Sequence, residues 1–119
     1  MSKDQLASFF CDMSAIPPAS RKRHIATIKE VFGAAQAIRE LRNGYAFQLP
    51  SEKGLLIKAA EFIDNERLCC PFFSFTVEVE PAGGLIWLQL TGHDGVKSFI
   101  QAEIGEALNE DIAKASNFR

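Results

Sequence analysis

The chain has 119 residues, 47% of them hydrophobic and 24% charged, with 13 basic against 15 acidic side chains. That length and apolar content predict one globular domain able to bury its own core without a structural metal or disulfide, and exclude a disordered chain. No run approaches the ~20 apolar residues of a membrane-spanning helix, and the balanced charge offers no footprint for a nucleic-acid backbone. Neither a membrane nor a nucleic acid is expected as a partner.

Met1-Ser2-Lys3-Asp4 lacks the basic-then-apolar pattern of a secretory leader, so the expectation is a mature cytoplasmic protein. Three cysteines, two of them adjacent, fit a reducing compartment better than a disulfide framework. No repeat period and no low-complexity run divides the chain. Ala15–Ser20, with Pro17-Pro18, is too short a linker to separate domains, and residues 1–19 read as an N-terminal helical arm on a single domain spanning 1–119.

In chain order, Leu6, Phe9, Phe10 and Met13 have helical spacing over residues 4–14. Ser20 can cap a second helix through about Phe32, with Ile25, Ile28, Val31 and Phe32 as its apolar stripe and Gly33 at its end. Asn43-Gly44 is a favoured hairpin turn, because both residue types tolerate positive φ. It joins a strand at 35–42 to one in which Tyr45, Phe47 and Leu49 share a face. The segment Gly33–Ala37 also fits a continued helix.

Ser51 opens a long helix with Leu55, Ala59, Phe62, Ile63 and Glu66 along one side, ending near Leu68–Cys70 because Pro71 disfavours helical geometry before it. Phe73, Phe75, Val77 and Val79 then alternate with polar residues, which predicts a strand with one wet face. Pro81–Gly84 turns into Leu85–Thr91, apolar on both faces at its start and hence central or covered. Asp94 can cap a last helix to about Leu108, with Val96, Phe99, Ile100 and Ile104 inward, before a frayed tail at 109–119. The expected architecture is α+β: a four-stranded, largely antiparallel sheet from two hairpins, with helices packed on one face.

Chemistry concentrates in Asn65–Phe73, where Cys69-Cys70 sits at a helix-to-strand junction. One reading makes both thiols small buried hydrophobes. The other makes them sulfur donors to a soft metal ion or a redox-sensing thiol pair, with Arg67 stabilising a thiolate against the negative end of the helix. Cys11 is a candidate third sulfur and His24 or His93 a fourth ligand. The spacing matches no C-x2-C zinc pattern, so a soft ion such as Cu(I) fits better than zinc. A Cys69–Cys70 disulfide would close a small strained ring, suited to a switch rather than a staple.

Glu66 and Arg67 are adjacent and point in different directions, so a local structural role outweighs a catalytic one. His24, after Arg21-Lys22-Arg23, reads as helix surface, and His93 lies in a turn whose amides match no phosphate loop. Trp87 falls on the sheet face opposite Ile86, Leu88 and Leu90, where a partner subunit, a ligand or the first two helices would cover it. No hydrolase, zinc-protease, nucleotide or dinucleotide fingerprint occurs, so no catalytic residue or cofactor-binding residue is assigned.

The run Glu66-Arg67-Leu68-Cys69-Cys70-Pro71-Phe72-Phe73-Ser74-Phe75 resembles the E-R-x-C-C-P-F-[LF]-x-F signature of a family of small bacterial proteins of unassigned function. The likeness extends through Glu78–Gly84, Leu85–Gly92, Gly95–Lys97 and, upstream, Glu40-Leu41 and Asn43–Phe47. It implies a family label without a reaction; His93 departs from the proline similar proteins tend to carry there. The first expectation is a homodimeric protein binding a soft metal ion, or sensing thiol redox state, through Cys69, Cys70 and Cys11. The alternatives are a structural or interaction module with packed cysteines and Trp87 in a dimer interface, and an enzyme using Cys70 as nucleophile, for which no partner base is evident.

Overall fold

The computed structural model describes residues 11–103. Four extended segments, β1 (Ala37–Leu41), β2 (Gly44–Leu49), β3 (Ser74–Val79) and β4 (Ile86–Thr91), pair antiparallel in the order β1-β2-β4-β3. Each hairpin supplies one central and one edge strand. Three α-helices lie among the described residues: α1 (Pro18–Gly33), α2 (Leu55–Cys69) and α3 (Val96–Glu103). The α+β architecture read from the sequence is the architecture observed.

Register fixes the faces. Phe47 opposes Leu88, Tyr45 opposes Leu90 and Leu49 opposes Ile86, so the alternating apolar sets of β2 and β4 point the same way. The helices pack on that face. Phe32 of α1 meets Phe47 edge-on at 4.9 Å and Phe62 of α2 at 5.1 Å, while Phe62 reaches Phe75 of β3 at 6.1 Å. Each such edge-to-face pair contributes about 0.5–1.5 kcal/mol beyond simple burial. Val96 and Ile100 bring α3 into the same core.

Trp87 lies on the opposite face, as expected, but α1 does not cover it. The Arg39 guanidinium sits 4.4 Å from the indole centroid, and the residue is only 8% exposed. Among the described residues, the Arg39 cation lies over the ring.

Several boundaries move. Of the helix expected at 4–14, residues 4–10 lie outside the described residues, and Cys11–Ser14 is not α-helical: a 3-10 turn occupies Met13–Ala15. Helix α1 starts two residues before Ser20, with Pro18 in its first turn, where the missing amide hydrogen costs nothing. Its buried stripe is His24, Thr27, Val31 and Phe32, whereas Ile25 is 48% exposed. Helix α2 begins at Leu55, not Ser51, after Gly54 at φ 90°. β3 keeps its alternation, yet Val77 and Val79 are exposed because the strand is an edge. Ile104 and the expected tail at 109–119 fall outside the described residues.

The first hairpin turn is Arg42-Asn43, since Leu41 pairs with Gly44. Neither turn residue has positive φ. Gly44 is required for another reason: a Cβ there would overlap the Leu90 carbonyl oxygen and lie 2.8 Å from Thr91 Cα. Backbone cannot yield as a side-chain tip can. Gly44→Ala is therefore expected to destabilise the protein by about 1–3 kcal/mol, measured by urea denaturation; an unchanged midpoint would refute the close approach.

Candidate functional site

Helix α2 ends where Pro71 requires it to. Cys70 leaves helical geometry at φ −127°, ψ 72°, while its amide still donates to the Glu66 carbonyl at 2.7 Å. The closed last turn puts Glu66 and Cys69, three residues apart, on the inward face. The segment before α1 is tied to this end: the Asp12 amide donates to the Cys69 carbonyl at 2.8 Å. Asp12 itself is held by Ser14, whose hydroxyl and amide bonds, together with Arg21, keep its carboxyl below the usual carboxylate range. The Arg21 guanidinium also donates to the Met13 and Ile16 carbonyls at 3.0 and 2.9 Å, fixing the turn onto α1.

The result is a convergence of sulfur. Cys11 and Cys70 form a disulfide. Cys69 stays outside that bond, with its Sγ 3.6 Å from Cys70 Sγ and 3.5 Å from Glu66 Oε1. One donor atom from each of Cys11, Glu66, Cys69 and Cys70 lies within 4.8 Å of every other. Cys69, Cys70 and Glu66 are buried and Cys11 is half-buried. The expectation of free thiols rather than a disulfide is corrected: Cys70 is bonded to Cys11, because the segment around Asp12 is docked on the end of α2 and brings the two sulfurs together.

The three sulfurs form a triangle, not a line. Thiol–disulfide exchange proceeds by attack along the S–S axis, and an in-line Cys69 would put its sulfur about 5.6 Å from Cys11 Sγ, given an S–S bond of ~2.05 Å. The observed limit of 4.8 Å is shorter. In-line placement of Cys69 is therefore excluded, and the four donor atoms are grouped closely enough that they could hold a metal ion.

Behind the sulfurs sits a buried polar pair. His24, with no exposed surface, places Nε2 2.8 Å from Glu66 Oε1 and stacks on Phe62 at 5.9 Å. The other ring nitrogen, Nδ1, is buried with no hydrogen-bond partner among the described residues. The surface position expected for His24 is thus corrected. The α1 stripe runs 24-27-31, and the histidine belongs to it because Glu66 on the facing helix needs a buried partner.

The other candidates are not brought to the cluster. Arg67 has a 60% exposed side chain and pairs with Asp64 at 3.3 Å one turn back; consecutive helical residues diverge, so Glu66 faces in and Arg67 out. Its expected contact with a thiolate is replaced by this pair. His93 is exposed in the turn before α3 and is not among the clustered donors. Cys70, the nucleophile of the enzyme reading, is held in the disulfide. Trp87 is on the far face of the sheet.

Comparison with known proteins yields no match to any family model, curated protein or solved structure. The site rests on its own geometry. No helix among the described residues is long and apolar enough to cross a membrane.

Proposed function

We propose that this protein holds a soft metal ion in the Cys11–Cys69–Cys70 cluster, with the Cys11–Cys70 disulfide as a redox gate. The observation that carries the reading is the mutual proximity of three sulfurs and one carboxylate oxygen within 4.8 Å in a largely buried position. Soft ions prefer thiolates, and a positive charge suits a helix C-terminus, where the backbone carbonyls present negative ends. In the oxidised state two of the sulfurs are bonded to each other and make poor ligands. Two equivalents of a thiol reductant would convert the bridge to two cysteine thiols and a small-molecule disulfide, completing the donor set.

The test is native mass spectrometry of oxidised and reduced protein with Cu(I), Hg(II) and Zn(II), beside Cys69→Ser/Cys70→Ser. Binding of one ion by the reduced form alone, lost in the double variant, supports the reading. Failure of the reduced protein to bind any of them overturns it.

A second reading is favoured by burial: Cys69 and Cys70 lie within the hydrophobic core, so the bridge can serve as a staple in a structural or interaction module. Reduction would then lower stability without creating a binding site. Homodimerisation and kinship with the bacterial family that Glu66–Phe75 resembles belong to the proposal as well. Light scattering decides the former, and a monomer mass overturns it.

A further inference from the structure

We infer that the preferred occupant of the reduced cluster is a trivalent, three-coordinate group-15 centre, delivered as arsenous or antimonous acid, rather than a mono- or divalent metal ion. The inference rests on reading the cluster as a sulfur site and names the ligand class that its charge and shape select.

Charge decides first. Three thiolates around Cu(I) leave a net charge of about minus two, and around a divalent ion about minus one, before Glu66 is counted. A buried net charge is costly unless it is compensated. Here compensation is poor. The cluster closes the C-terminal end of α2, which repels negative charge, and Arg67, the basic residue of that last turn, is turned to solvent and paired with Asp64. Three thiolates around a trivalent centre are neutral. What remains to be compensated is the Glu66 carboxylate, and His24 already pairs with it at 2.8 Å.

Shape agrees. Such a centre makes three bonds in a pyramid and keeps a lone pair, so it needs a triangle of sulfurs and no fourth ligand. A triangle is what the cluster offers, with the Cys69 and Cys70 sulfurs 3.6 Å apart and Cys11, bonded to Cys70 until the bridge is reduced, at the third corner. Glu66 is already engaged by His24 at 2.8 Å, which orients the carboxylate beside the sulfurs and leaves it a neighbour rather than a required ligand.

The chemistry balances without any oxidant. Each cysteine S–H bond and each arsenic–hydroxyl bond breaks, and each arsenic–sulfur bond that forms is matched by one water leaving with the thiol proton and the hydroxide. Arsenic remains trivalent. Reduction of the Cys11–Cys70 bridge comes first, by a thiol reductant that leaves as its own disulfide.

Native mass spectrometry on protein reduced with a phosphine, which does not chelate as a dithiol would, tests this directly. The full chain is mixed with arsenite, Cu(I) or Zn(II), singly and in competition. The expected product carries one arsenic atom less three protons, resists equimolar Zn(II) and Cu(I), and persists in Glu66→Gln. Each of Cys11→Ser, Cys69→Ser and Cys70→Ser loses it. X-ray absorption at the arsenic edge on the wild type should find three sulfur neighbours, a readout that needs no variant to fold.

An adduct that has lost only two protons, or displacement of arsenic by Cu(I) or Zn(II), overturns the inference while the sulfur-site reading stands. Loss of the adduct in a folded Glu66→Gln protein, shown by an unchanged circular dichroism spectrum, overturns it too, by making the carboxylate a ligand. If no probe binds at all, the sulfur-site reading itself falls.

Discussion

Reducing the Cys11–Cys70 disulfide is expected to lower the unfolding free energy by about 4 kcal/mol, because the bridge spans 59 positions of sequence and removes the closure entropy of that loop from the unfolded chain. The loop contains α1, β1, β2 and α2, so the linkage restrains both helices that frame the site and half of the sheet. In urea the midpoint should fall by roughly 2 M. Cys11→Ser should reproduce the reduced wild type, while Cys69→Ser, which leaves the bridge intact, should stay near the oxidised protein. Equal midpoints for oxidised wild type and Cys11→Ser would show that the bridge contributes nothing. The prediction also bears on function. A site opened by reduction is a destabilised site, and a bound ion should restore stability in proportion to the logarithm of its concentration over its Kd.

Replacing His24 with alanine is expected to cost about 3–5 kcal/mol, the scale for breaking a buried pair by removing one partner. Two losses combine. Glu66, 7% exposed, loses the 2.8 Å bond that compensates its burial and keeps the longer contact from the Cys69 thiol. The stacked face of Phe62 loses its neighbour, leaving a void in the core. Replacing both partners together, His24→Phe with Glu66→Leu, should recover much of the loss, because apolar groups of similar volume need no partner. A double-mutant cycle measures the coupling directly. A His24→Ala cost below about 1 kcal/mol, the range of exposed pairs, would refute the buried pairing.

Particular residues show how far the chain could be read without its tertiary structure. Helical spacing places Glu66 with Leu55, Ala59 and Phe62, and that is the stripe α2 buries. In α1 the same rule gives an apolar stripe through Ile25, and the basic cluster Arg21–Arg23 points His24 to the surface. The spacing back from Val31 through Thr27 reaches His24, but nothing local prefers a histidine there. Its reason is Glu66, on another helix and 42 positions away. Asn43-Gly44 misled in a related way: the pair suits a turn of positive φ, yet the glycine is needed because β4 passes too close for a side chain.

What the sequence determined by itself is what local physics controls: alternation in the strands, helical spacing in α2, the proline that ends it at the vicinal cysteines, and through these the α+β class with two hairpins. Tertiary structure alone decided which sulfur meets which. The Cys69 and Cys70 sulfurs lie 3.6 Å apart, yet Cys70 bonds a segment 59 positions upstream, because the docking of Asp12 on Cys69 brings Cys11 there. The pairing of His24 with Glu66 and the outward turn of Arg67 follow the same logic. A buried charge takes its partner from whatever element packs against it, and the order of residues along the chain does not record that.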